Sequence, residues 1–198
     1  MFDNDKRVIL TDIDGVVLNW GTAFNDWMVS RGHQQKGGSA SYDVAETYDI
    51  PKGQAKMLVR MFNESAQVGF LPPLRDAICY MKKLHEEHGY VFHAITSLSS
   101  DPNAQKLRIM NLENLFGKTL FEKYIILGCG DDKDEALEPY RDSGLIWVED
   151  KVENAVLGAE MGLDCILIEH DHNRNSLPSC RYSSSWKNIY QYVRGDDI

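Results

Sequence analysis

Two acids separated by one residue close the first apolar run of the chain, Val8-Ile9-Leu10-Thr11-Asp12-Ile13-Asp14-Gly15. On a strand, side chains at i and i+2 point the same way. Asp12 and Asp14 can therefore reach one point beyond the strand end, unless the backbone bends first. Gly15 offers that bend, because it tolerates backbone angles that other residues avoid. Carboxylates at the end of a buried strand are costly unless they meet a cation or a proton, and that cost is the first sign of chemistry.

Three further apolar runs also end in polar groups. Residues 90–95 close on Thr96-Ser97. Residues 124–127 are followed by Gly128-Cys129-Gly130-Asp131-Asp132-Lys133, and residues 145–148 by Glu149-Asp150. Helical patterns separate these runs. Leu74, Ala77, Ile78, Met81 and Leu84 mark a helix opened by Pro73 and ending near Gly89. Asp101-Pro102 starts another that runs to Gly117, a short one follows Lys133, and residues 152–161 form a fourth. Residues 165–168 read as a fifth strand, and Ser183-Ser184-Ser185 as the cap of a last helix carrying Trp186, Ile189, Tyr190 and Val193. Strands alternating with helices of this length imply right-handed crossovers and a doubly wound α/β fold with a parallel sheet. Ligands of such sheets bind at the carboxyl ends of the strands, where all four polar groups fall.

Residues 18–70 contain no convincing strand, and a structureless loop of roughly fifty residues is improbable in a compact domain. Helical patterns fill the interval: Trp20, Phe24, Trp27 and Met28 up to Gly32, then Ala55, Leu58, Val59 and Phe62 behind Pro51 as first helical residue. The polar, glycine-rich residues 33–41 read as a mobile connection. The expected organisation is an α/β core of residues 1–17 and 71–198 with a small helical cap, residues 18–70, inserted after the first strand.

The chain of 198 residues is 43% hydrophobic and 26% charged, with a formal net charge of −9. That balance suits a globular protein with a real core and argues against a general binder of nucleic acid or anionic membrane. Cys79, Cys129, Cys165 and Cys180 show no metal-ligand spacing, and Cys79 and Cys165 read as reduced core residues. The first seven residues lack the apolar core of a signal peptide, and no run is long enough to span a membrane. A cytoplasmic location is the expectation.

With these residues in view, the chain resembles the haloacid-dehalogenase (HAD)-like phosphohydrolases over essentially its whole length. Asp12-Ile13-Asp14-Gly15 matches their DxDG motif, Thr96 their strand-two hydroxyl, Lys133 their lysine, and Glu149-Asp150 their acidic pair. The size of the insertion, Ile95-Thr96-Ser97, and His172-Asn173-Arg174 followed by Ser185-Trp186 look most like the 5′(3′)-deoxyribonucleotidase branch. Glu149-Asp150 departs from the two aspartates usual there and is closer to sugar phosphatases and phosphomutases. The resemblance implies a Mg²⁺-dependent phosphomonoesterase that works through an aspartyl-phosphate, with a small phosphorylated substrate such as a nucleoside monophosphate. It makes Asp12 the nucleophile and Asp14 the general acid/base, with Thr96, Ser97 and Lys133 on the phosphate. Asp12, the backbone carbonyl of Asp14, Glu149 and Asp150 would hold the metal. Trp20, Phe24, Trp27 and Phe62 are the aromatic candidates in the cap. A sugar-phosphate phosphatase or phosphomutase, a dehalogenase, and a catalytically silent scaffold are the rival readings.

Each of these residues also has an ordinary reading. Asp12 and Asp14 could cap a turn, Thr96 could be a turn residue, and Glu149-Asp150 could sit at a helix N-terminus, where acids are favoured. Lys118 competes with Lys133, but it precedes strand three and belongs at the opposite sheet edge. The stripe Trp20-Phe24-Trp27-Met28 is either cap core or base-binding surface. His170-Asp171-His172 reads as a solvated loop, and His85 and His88 as exposed helix residues. Asn154 steadies the acidic loop or lies on the helix surface.

Overall fold

In the computed structural model of the chain, which describes residues 7–36, 41–174, 176 and 180–195, six parallel strands form one sheet. In chain order they are β1 (Val8–Thr11), β2 (Val91–Ser97), β3 (Phe121–Leu127), β4 (Ile146–Glu149), β5 (Asp164–Ile168) and β6 (Arg181–Ser183). Their spatial order is β3-β2-β1-β4-β5-β6. The chain adds strands first to one side of β1 and then to the other. The loops leaving β1 and β4 therefore diverge and open a crevice at their carboxyl ends. Asp12 follows β1 directly, Asp150 follows β4 directly, and the β3–β4 connection brings Lys133 across to the same place.

Helices cover both sheet faces. The α-helices are α1 (Trp20–Val29), α2 (Val44–Tyr48), α3 (Lys52–Asn63), α4 (Ala77–His88), α5 (Pro102–Phe116), α6 (Asp134–Leu137), α7 (Val152–Glu160) and α8 (Trp186–Arg194). Alternation along β1 sends Ile9 to one face and Leu10 to the other. Ile9 joins Phe92, Ala94 and Ile166 under Met81, Leu112 and Ile189 from α4, α5 and α8. Leu10 joins Ile95, Trp147 and Cys165 against Leu137, Tyr140 and Met161. The doubly wound parallel sheet expected from the sequence is the fold observed.

The interval between β1 and β2 is helical, as the patterns predicted. Its two stems run side by side: Leu18 bridges Pro73, Asn19 N–H donates to the Pro72 carbonyl at 2.8 Å, and Leu74 N–H to that of Val17 at 2.8 Å. The 3₁₀ turn Ala66–Phe70, which follows α3, seats this insertion on α5. The Gly69 backbone lies so close that a Cβ there would meet Leu107 Cδ2 and Met110 Cε at 3.1 Å. One apolar cluster accordingly runs from the sheet into Phe24, Met28 and Phe62 of the insertion.

Several local expectations change. Pro51 caps α3 from outside, and α4 begins at Ala77 because Pro73 is engaged with Leu18. α2 and β6 were not foreseen; both are short, and two of the three β6 residues are exposed. Cys79 lies on the exposed side of α4, between the buried positions Ala77 and Met81, whereas Cys165 is buried. His85 and His88 are half-buried and bonded, His85 to the Tyr90 carbonyl and His88 to the Tyr190 hydroxyl. Residues 37–40 of the expected polar connection, and residues 1–6 of the expected leaderless start, lie outside the described residues. Among the described residues no helix is long and apolar enough to cross a membrane.

α7 approaches the sheet through Gly158, where a Cβ would stand 2.5 Å from Trp147 Cδ1 and 2.9 Å from Cys165 Sγ. Gly to Ala inside a helix ordinarily stabilises by about 1 kcal/mol. Here overpacking against an indole outweighs that gain: Gly158→Ala lowers stability by about 1–3 kcal/mol in urea unfolding, and unchanged or raised stability contradicts this packing.

Candidate functional site

The crevice opens into a cavity of about 640 Å³ between the strand ends and the insertion. Its floor is built from four carboxylates. β1 pairing continues past its last residue, with Asp12 N–H donating to the Val148 carbonyl at 2.9 Å, so Asp12 stands beside Glu149. Gly15 then takes φ +79°, a conformation that suits glycine. Its missing side chain matters too, since a Cβ would lie 2.3 Å from Asp150 Oδ2. Asp12, Glu149 and Asp150 are buried, and each offers an oxygen within 4.8 Å of the others.

Lys133 comes in from the residue before α6 and is itself buried. Its Nζ lies 2.9 Å from Asp12 Oδ1 and 2.7 Å from Glu149 Oε2. Lys118, the competing lysine, is exposed and Lys133 is the one paired with Asp12 and Glu149. Glu149 accepts further from Asn154 Nδ2 at 3.2 Å, and its Oε1 from the backbone N–H groups of Asp150 and Lys151 at 3.0 and 3.1 Å. Asn154 thus steadies the acidic loop. A carboxylate has about four acceptor sites, so those of Glu149 are filled. Asp12 and Asp150 are the more open oxygen ligands, and Glu149 would have to release a donor to join them.

Asp14 is held by a residue that the motifs did not reveal. Arg108, wholly buried on α5, places Nη1 2.9 Å from Asp14 Oδ1 and Nη2 3.1 Å from Oδ2. Its sequence signal was periodicity: Ala104, Arg108 and Leu112 share one buried stripe of the helix.

The electrostatics follow from burial. Desolvation pushes Asp12 up to about 7; the Lys133 charge opposes this, while Glu149 and Asp14 add to it. The lysine alone therefore does not keep Asp12 fully ionised. Burial raises Asp150 well above the aspartate range, with Glu149 and Asp12 adding repulsion. Burial also raises Asp14, against the Arg108 charge. Burial works against ionisation of Glu149 too, but the charge and hydrogen bond of Lys133 with the Lys151 N–H prevail, and that carboxyl sits low. Three buried carboxylates and the half-buried Asp14 thus face two cations, Lys133 and Arg108. Oxygen donors and a deficit of two positive charges fit a hard divalent cation such as Mg²⁺.

The remaining expected residues divide. Ser97 lines the cavity and donates to the Asp131 carbonyl at 3.0 Å. Thr96 stands one residue back, buried and off the cavity wall, its hydroxyl without a hydrogen-bond partner among the described residues. Trp20 and Phe24 line the cavity. Trp27 and Phe62 do not: they pack edge to face with centroids 5.6 Å apart in the aromatic core of the insertion. Tyr42, Tyr48, Asn25, Gln35 and Asn63 complete the wall and carried no motif to announce them. Asn63 accepts from Trp20 Nε1 at 2.9 Å and donates to the Leu98 carbonyl at 3.1 Å, tying the indole to the exit of β2.

The loop after β5 is not the solvated segment expected. His170 and His172 are half-buried, stacked, and line the cavity. His170 Nε2 donates to the Gly15 carbonyl at 2.6 Å, and His172 Nε2 lies 3.3 Å from the Asp150 carbonyl. Asn173 Nδ2 bridges the Asp150 and Ile168 carbonyls at 2.7 and 2.8 Å. The strand-end rule that located the other groups points to this loop as well.

No protein-family model matches the sequence. In sequence, 136 residues are 28% identical to an Enterobacteria phage T4 protein described as an uncharacterized 32.4 kDa protein in the Gp30-rIII intergenic region. That match takes in 66% of this chain and 47% of the phage protein, so the chain spans about half its length. Solved structures are similar over almost the whole chain. The haloacid dehalogenase-like hydrolase SP0104 from Streptococcus pneumoniae aligns with TM-score 0.65 and 14% identity over 96% of this chain and 99% of its own. A predicted phosphatase from Clostridium acetobutylicum gives 0.63 and 12% over 96% and 99%. YfnB from Bacillus subtilis, described as a HAD-hydrolase bound to magnesium, gives 0.57 and 12% over 95% and 98%. The fold of this chain is that of the HAD-like hydrolases.

Proposed function

We propose that the chain is a Mg²⁺-dependent phosphomonoesterase acting through an aspartyl-phosphate, with nucleoside monophosphates as its substrates. The observation that carries this reading is Asp12: a buried carboxylate at the switch point of the sheet, between the Lys133 ammonium and the Asp150 carboxylate, with a second acid two residues on. A carboxylate so placed is a nucleophile for phosphorus, and positive charge beside it offsets the repulsion between two anions. The HAD-like fold, shared with a predicted phosphatase, supports the same class of chemistry.

In this reading an Asp12 oxygen attacks phosphorus and the bond to the leaving oxygen breaks. Asp14 gives its proton to that oxygen, then takes one from the water that cleaves the acyl phosphate. Lys133 holds Asp12 and a phosphate oxygen, Ser97 adds a donor at the wall, and the Thr96 hydroxyl is a further donor should the β2 end adjust. Asp12, Asp150 and the Asp14 carbonyl would hold Mg²⁺, which supplies charge neutralisation at the phosphoryl group when bound. The insertion excludes water. Its aromatic and amide wall, Trp20, Phe24, Tyr42, Asn25 and Gln35, offers ring faces and hydrogen-bonding edges suited to a nucleobase.

A panel of nucleoside monophosphates, sugar phosphates, sugar bisphosphates and haloacids, assayed for released phosphate or halide, tests the reading. Mg²⁺-dependent phosphate release, greatest for nucleotides, is expected. Asp12→Asn should lower kcat by at least about 10³-fold, and Lys133→Met by about 10²–10³-fold. Isomerised sugar phosphate or halide release would replace the reading by a mutase or a dehalogenase, and complete inertness would leave a scaffold.

Stability should also depend on pH in a defined sense. Asp12 and Asp150 titrate higher in the folded chain than the ordinary aspartate value near 3.8. The folded state therefore holds more protons, and stability falls as pH rises towards and through the folded values. His170 and His172 are lowered by burial and act oppositely, mainly below their ordinary value of 6.5. Metal-free protein should thus lose thermal stability from about pH 6.5 to 8, and Mg²⁺ should restore it at the upper end. A melting temperature that rises with pH in this window, or is indifferent to Mg²⁺, contradicts the charge deficit.

A further inference from the structure

Arg108 is wholly buried, and its guanidinium meets Asp14 with both terminal nitrogens. Its Nε and Nη1 make no aligned hydrogen bond among the described residues. The Asp14 side chain, in contrast, is 20% exposed and lines the cavity. The arginine therefore grips the carboxylate from behind and leaves its other edge to the cavity. Nη2 donates to Oδ2 while Nη1 stands against Oδ1, which is itself buried, so the part of the side chain left to the leaving group lies outside Oδ1. We infer that Arg108 is a positioning residue that fixes the direction of the Asp14 carboxylate towards the leaving oxygen, an inference that rests on reading Asp14 as the acid/base of a phosphomonoesterase.

The chemistry of arginine favours this role. Its planar fork matches a carboxylate at two points and fixes its plane, whereas an ammonium would fix only a distance. α5, which carries Arg108, is anchored at its start by Asp101, whose side chain accepts from Asn103 and Ala104 N–H at 2.8 and 2.9 Å. α5 also packs against the 3₁₀ turn of the insertion at Gly69. Asp14 is thus referred to a rigid element rather than to the loop that bears it.

The experiment compares Arg108→Met and Arg108→Lys with wild type on an alkyl phosphomonoester and on p-nitrophenyl phosphate, whose leaving group departs without a proton. A mis-aimed acid should lower kcat for the alkyl ester by about 10²-fold, with KM within about threefold and the initial burst of p-nitrophenolate nearly unchanged. Arg108→Lys should recover part of the loss. In an Asp14→Asn background, which leaves no unpaired buried carboxylate and keeps the double variant foldable, removing Arg108 should cost nothing further on either substrate. A loss in the p-nitrophenolate burst as large as the loss on the alkyl ester, or an undiminished loss in the Asp14→Asn background, overturns the inference while the phosphatase reading stands. Wild type inert towards both esters overturns both, and insensitivity of activity to Asp12→Asn marks failure of the mechanism beneath them.

Discussion

One ammonium shared by two buried carboxylates sets the geometry on which the rest of the site depends. Lys133 reaches Asp12 after β1 and Glu149 at the end of β4, two strands that are neighbours in the sheet but far apart in the chain. Breaking such a buried pair by removing one partner leaves an uncompensated charge, at a cost of about 3–5 kcal/mol. The contact therefore constrains the β3–β4 connection, the exit of β1 and the exit of β4 together. Glu149 extends the constraint: its four donors fix the first residues of the following loop, and so the direction in which Asp150 leaves the sheet.

The same contact falls short as charge compensation. Asp12, Glu149 and Asp150 are buried and Asp14 is half-buried, and among the described residues Lys133 and Arg108 are the lysine and arginine that answer them, with the His172 imidazole 3.8 Å from Asp150 Oδ2. The shortfall appears in the directions of titration, upward for Asp12, Asp14 and Asp150 and downward only for Glu149, whose sites are full. Folding has concentrated negative charge where it is least comfortable, and a ligand that binds there gains the free energy stored in that arrangement. Such a deficit suits a hard divalent cation.

What the sequence made legible follows from which physical signals are local. Strand ends marked by acids, hydroxyls and lysine were legible because each lies within a few residues of an apolar run, so the parallel sheet and the floor of the site could be read directly. Lys133 was separable from Lys118 by topology alone. The cavity walls were less legible. Trp20, Phe24, Trp27 and Phe62 share a helical stripe pattern, and only the packing shows that Trp27 and Phe62 are turned into the insertion core while Tyr42 and Tyr48 face the cavity. Arg108 looked like one more helix residue, since a charge on a buried stripe declares itself only once its partner 94 residues away is known. His170 was within reach, because it lies two residues past the end of β5 and so at the edge where the other groups fall, but a polar segment does not by itself report its exposure.

The seat of the insertion links these parts. A cap joined only by two stems could adopt many orientations over the floor, and its aromatic wall would then select nothing. Here the end of α3 and the 3₁₀ turn after it are fastened to the core at several points: Asn63 to the Leu98 carbonyl, Glu64 to the Ser99 hydroxyl at 3.0 Å, and Gly69 against Leu107 and Met110. Leu107 and Met110 belong to α5 and flank Arg108 in sequence. The helix that seats the insertion is therefore also the helix that grips Asp14, so the cavity wall and this carboxylate are referred to one rigid body. A shift of the insertion on α5 would move wall and acid apart in a way that no change at Asp12 or Lys133 could reproduce. On the phosphomonoesterase reading proposed above, recognition of the leaving group and its protonation are coupled through packing rather than through the floor of the site.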